Sequence, residues 1–95
     1  ICKKWTIIKV ETNKEIQKVN KGEFVIEFFE NNSYSVHQGN ENYLGKWNFD
    51  EDKGILFLHE KEYLLELNII KLNSKLFIEK STESNQDYTT TYIRI

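Results

Sequence analysis

Ninety-five residues make one domain, long enough for a single hydrophobic core without a metal or disulfide to hold it. Thirteen Lys and Arg against fifteen Asp and Glu leave a net charge of −2, which disfavours nucleic acid and anionic membrane surfaces as partners. Cys2 stands alone, so no internal disulfide forms, and no apolar run approaches the ~18 residues of a membrane helix.

The first strand is predicted over Lys3–Thr12, a β-branched run in which Trp5 and Ile7 face one way and Thr6, Ile8 and Val10 the other. Asn13–Gly22 is the one segment without strand character. Asn13 is a suitable N-cap, Ile16 and Val19 sit three apart, and Gly22 is a natural stop, so the segment reads equally as a short helix or a loop. Glu23–Glu30 is a strand with Phe24, Ile26 and Phe28 on one face, and Asn31-Asn32 turns it into the alternating strand Ser33–Gln38.

Leu44–Leu67 reads as a complete meander and serves as the template for the rest. Trp47 and Phe49 alternate with Lys46 and Asn48. Asp50–Gly54 is a polar hairpin turn ending in glycine, and Ile55–Leu58 is an apolar run. Glu60-Lys61-Glu62 turns the chain again, and Tyr63, Leu65 and Leu67 resume the alternation. A further strand runs from Leu72 to Glu79 with a turn at Asn73-Ser74-Lys75, Ser81–Asp87 is a polar loop, and Tyr88–Ile95 closes the chain.

Short strands joined by short turns favour antiparallel neighbours, and about eight of them curl shut to remove their edges. The expected fold is therefore all-β, an antiparallel up-and-down β-barrel in one domain over residues 1–95, with a two-sheet sandwich as the alternative. Trp5, Phe24, Ile26, Phe28, Val36, Trp47, Phe49, Phe57, Leu65 and Leu67 are expected inside, with Trp47 as the anchor of the register. Phe29, Leu56, Leu58, Leu64 and Ile70 then point outward, which implies a second layer, a partner chain (a protein partner or a homodimer) or a mistaken register.

Ile1-x-Lys3-x-Trp5 and Leu44-Gly45-Lys46-Trp47 resemble the Gly-x-Trp elements of small bacterial lipocalin-like domains of the calycin group, with Lys3 where that family has glycine. Leu67, Leu72 and Leu76 are similar to its leucine-spaced hairpin. The resemblance spans nearly the whole chain. It implies a lipocalin-like barrel able to hold an apolar ligand, and a periplasmic or cell-envelope setting.

Chemistry is sparse. His37 and His59 lack a metal-ligand spacing, and Asp50-x-Asp52-x-Gly54 lacks the remaining ligands of a calcium loop. No nucleophile–base pair or phosphate-cradling loop is present, so neither catalytic residues nor a cofactor are expected. The aromatic residues carry the remaining signal, with Phe28, Tyr34, Trp47, Phe57 and Tyr63 as candidate ligand-binding residues. Two functions compete: a non-enzymatic binding domain for a small apolar ligand, and a solidly packed interaction or structural domain of the bacterial cell envelope. An internal cavity of about 300 Å³ or more, open at one end, favours the first.

Overall fold

The structure, a computed structural model, describes all residues from Ile1 to Ile95. Nine strands follow in chain order: β1 (Lys4–Glu11), β2 (Ile16–Lys18), β3 (Phe24–Phe28), β4 (Ser33–Gln38), β5 (Glu41–Asp50), β6 (Ile55–Glu60), β7 (Tyr63–Leu72), β8 (Leu76–Glu83) and β9 (Gln86–Arg94). Every pairing is antiparallel, each strand from β3 to β9 lies beside the next, and β1 pairs with both β3 and β9. Eight strands therefore close into a barrel, consistent with a lipocalin-like architecture, and β2 is an extra.

Asn13–Gly22 forms no helix. Its middle, β2, folds back on the far half of β1, with Lys9 opposite Lys18 and Glu11 opposite Ile16. The spacing of Ile16 and Val19 suits a helical face, yet Ile16 is exposed. Backbone pairing to β1 decides the segment instead. Gly22 turns the chain at φ 90, and its N–H donates to Thr6 Oγ1 at 2.9 Å while that hydroxyl donates to the Phe24 carbonyl at 2.9 Å. Thr6 is thereby buried and satisfied on the face opposite Trp5.

The turns follow local chemistry. Asp50 Oδ1 accepts the N–H groups of Asp52 and Lys53 at 3.1 Å each, and Gly54 sits at φ 66, as the hairpin reading required. Asn73 Oδ1 does the same for Lys75 and Leu76 at 2.9 Å each. The expected polar loop Ser81–Asp87 is mostly strand. Ser84 and Asn85, both with positive φ, make a two-residue turn whose twist matches that of the flanking strands.

The core differs from expectation in β6. Trp47 faces Leu58 and Phe49 faces Leu56, so Leu56 and Leu58 are interior and Phe57 turns outward beside Asn48. An apolar run carries no alternation to fix its phase; the partners across the hairpin fix it. In β1 a bulge between Ile7 and Lys9 shifts the phase, bringing Val10 onto the face of Trp5 and Ile7. A second bulge, between Ile69 and Lys71, leaves Ile70 outside.

One end of the barrel is closed. Trp5, fully buried, packs edge-on to Phe77 at 5.7 Å, and Phe77 stacks on Tyr92 at 4.6 Å. Ile1 lies across this end, packed on the core and accepting the Trp5 indole N–H at 3.1 Å. Trp47 makes a parallel arrangement next door, its indole edge-on to Phe28 at 5.9 Å and its N–H donating to the Phe29 carbonyl at 3.0 Å. Trp47 is only partly buried, however, and Phe49 lies 38% exposed at the strand end, so the anchoring role belongs to Trp5.

Candidate functional site

The opposite end, where β3, β5 and β7 begin and β4, β6 and β8 finish, is open. Successive inward positions there give a recess of about 190 Å³. Phe24 and Ile26 of β3, Val36 of β4, Leu58 of β6, and Leu65 and Leu67 of β7 supply apolar walls, with the rings of Tyr34, Tyr43 and Tyr92 between them. Larger depressions lie between β7 and β8 (about 320 Å³) and on the outer face around His37 (about 380 Å³). Each of those has only two hydrophobic residues in its lining, against nine around the recess.

The recess has a side entrance. β7 and β8 pair only from Asn68 and Lys80 onward, so the first half of β7 and the last residues of β8 part company. Leu65, Ser81 and Glu83 line both the recess and the gap between these strands. Leu65 is consequently 46% exposed although its partner Leu58 is buried. Its expected interior position is thus a position on the wall of the mouth.

Glu79 forms the polar floor. It occupies an inward position of β8 and is 3% exposed. The Tyr92 hydroxyl donates to its Oε2 at 2.9 Å, while Oε1 is buried without any hydrogen-bond partner. Burial favours the uncharged acid and pushes the Glu79 carboxyl up to about 7, the Tyr92 hydrogen bond opposing this only in part. The Tyr92 phenol is raised well above its ordinary value, first by burial and then by Glu79. Tyr34 is raised to about 12 by burial and by the nearby Glu60 carboxylate.

Tyr34 owes its place to Gly45, its partner across β4 and β5. A Cβ at Gly45 would stand 2.5 Å from the Tyr34 ring and 2.5 Å from the His59 carbonyl oxygen. The glycine of the Leu44–Trp47 element thus makes room for an aromatic wall of the recess. Gly45→Ala should cost about 1–3 kcal/mol through overpacking, read as a lower urea midpoint at unchanged m-value. A loss below about 0.5 kcal/mol would mean that Tyr34 is free to move aside.

Among the five candidate ligand-binding residues, Tyr34 alone lines the recess. Phe28 and Trp47 belong to the closed half, Phe57 lies on the outer face, and Tyr63 stands 75% exposed at the tip of the β6–β7 hairpin. Glu79 was missed because a carboxylate inside an alternating strand reads as solvent-facing. Its signal lay in Phe77 and Glu79 sharing one phase of β8.

His37 and His59 are exposed; His37 Nδ1 lies against Asn42 Oδ1, and His59 Nε2 lies 3.2 Å from Asn48 Oδ1. Replacing either by alanine should shift stability by no more than about 0.5 kcal/mol in thermal melts. A larger loss would assign these pairs a structural role. No three His, Cys, Asp or Glu side chains converge to hold a metal ion, and no helix is long and apolar enough to cross a membrane. The chain matches no protein-family model, no curated protein and no solved structure.

Proposed function

We propose that the protein is a non-enzymatic binding domain that takes one small apolar ligand into the open mouth of the barrel. The observation that carries this reading is the recess itself, in which nine of thirteen lining residues are hydrophobic and which opens to solvent. At about 190 Å³ it falls short of the cavity size of about 300 Å³ that favours this reading and of the roughly 300–1,000 Å³ of drug-sized pockets. A cavity of about 150 Å³ holds benzene, so the ligand is of that class, with about 6–10 non-hydrogen atoms. The resemblance to lipocalin-like domains points the same way.

Titrating benzyl alcohol into the ¹⁵N-labelled chain tests the proposal by NMR. Saturable shifts should centre on the amides of Tyr34, Leu58, Leu65 and Glu79, and Leu65→Trp, which fills the mouth, should abolish them. Absence of saturable shifts with benzyl alcohol and likewise with benzylamine and benzoate, or shifts unchanged in the Trp variant, would refute it.

A second reading has its own support. Along Tyr63–Leu67 the edge of β7 facing β8 is unpaired, and Tyr63, Leu64 and Leu65 are all exposed there. Such an edge can add an extended segment of a protein partner or of a second copy. Native mass spectrometry of the purified protein separates the readings: a homodimer at micromolar concentration favours the edge, a monomer favours the mouth.

A further inference from the structure

We infer that the ligand of the barrel mouth is a small apolar amine, bound as its ammonium with an N–H directed at Glu79 Oε1. This rests on the ligand-binding reading above and names the chemistry of the ligand.

Two independent observations meet here. The first is the orphaned oxygen. A buried acceptor without a donor costs free energy that folding must absorb, yet Glu79 Oε1 is in this state while its other oxygen is held by the Tyr92 hydroxyl. Glu79 lines the recess, so its carboxyl belongs to the wall that an entering group meets. Because Tyr92 already donates to Oε2, the carboxyl is oriented, and one acceptor is left for the ligand.

The second observation is charge. Besides Glu79, the titratable groups lining the recess are Glu60 of β6, Glu83 of β8, and the phenols Tyr34 of β4, Tyr43 of β5 and Tyr92 of β9. β3 and β7 contribute only apolar side chains to this lining, and it contains no Lys, Arg or His. Three carboxylates facing an apolar recess without a cation repel an anionic ligand and attract a cationic one. A neutral alcohol would satisfy Oε1 equally well as a hydrogen bond but gains nothing from Glu60 and Glu83. The carboxylates do not converge as metal ligands, and the walls are apolar, so the cation that fits is organic.

The energetics couple the two. In the free protein near neutral pH the Glu79 carboxyl is partly protonated, because burial raises it to about 7. An ammonium beside it favours the carboxylate, so binding releases that proton. Amine affinity should therefore rise with pH from about 6 to 8, while the affinity of a neutral isostere stays level.

Calorimetric titration of the 95-residue chain with benzylamine, benzyl alcohol and benzoate, three probes of one shape, tests this. Benzylamine should bind about tenfold or more tightly than benzyl alcohol at pH 7.5, the worth of a buried charge-assisted hydrogen bond, and benzoate should be weakest. Glu79→Gln should weaken benzylamine by a larger factor than benzyl alcohol and remove the pH dependence of the amine, Glu60 and Glu83 keeping part of its advantage. Should that variant fail to fold, the pH dependence of the wild-type protein decides instead. Equal affinities for amine and alcohol, or an amine affinity indifferent to pH, would overturn the amine inference while leaving the mouth a ligand site. Failure of all three probes to bind would overturn the binding reading itself.

Discussion

Trp5→Ala should lower stability by about 3–5 kcal/mol, the usual cost of deleting a buried aromatic, whereas Trp47→Ala should cost about 1–3 kcal/mol. Trp5 is fully buried, contacts Phe77 edge-on, and holds the Ile1 carbonyl across the closed end. Removing it opens a void in the middle of the packed half and frees the N-terminal cover. Trp47 makes matching contacts with Phe28 and the Phe29 carbonyl, but from a partly exposed position where water can replace the indole N–H. For a domain of this size each kcal/mol moves the melting temperature by roughly 4–8 °C, so the two variants should separate clearly in thermal melts. Equal losses would mean that the partly exposed Trp47 is packed as tightly as Trp5.

Glu79 should make the protein lose stability as pH rises. Its carboxyl is raised from an unfolded value of 4.5 to about 7 when folded. Between these values the folded state holds a proton that the unfolded state has lost, so raising the pH favours unfolding. The contribution is fully present below about pH 4.5 and gone above about pH 7, and amounts to about 3 kcal/mol at 1.36 kcal/mol per pH unit. Other carboxylates titrate over the acid part of this range, so the informative quantity is the difference between wild type and Glu79→Gln. The glutamine variant should gain on the wild type steadily from pH 5 to pH 7.5 in urea denaturation. A constant difference across that range would show that Glu79 ionises in the folded protein as it does in water.

Much of the barrel is legible in the sequence, and the exceptions share a physical cause. Alternating polar and apolar residues place β3, β4 and β5 in phase, because each side chain reports its own face. Ile55–Leu58 reports nothing of the kind, and its phase comes from Trp47 and Phe49 across the hairpin, which put Leu56 and Leu58 inside and Phe57 outside. Bulges in β1 and β7 change phase at Ile8 and Ile70, where no Gly or Pro advertises them. β2 is three residues long and exposed throughout, so only its pairing with β1 defines it.

The site was less legible than the fold. Trp5, Phe28, Trp47 and Phe77 fill the closed half while Phe24, Tyr34, Tyr43 and Tyr92 line the recess, a division set by which strands stop pairing at the mouth rather than by residue type. Gly45 could be read only once Tyr34 was seen opposite it, and Glu79 only once Tyr92 was.

The most direct test is to follow the Glu79 carboxyl carbon by NMR as a function of pH, in the free protein and at saturating benzylamine. The free carboxyl should titrate near pH 7, and the amine should move that midpoint well to the acid side, while saturating benzyl alcohol leaves it higher than the amine does. A midpoint near the ordinary 4.5 in the free protein, or one that the amine leaves in place, would contradict a buried carboxylate waiting for a cationic partner.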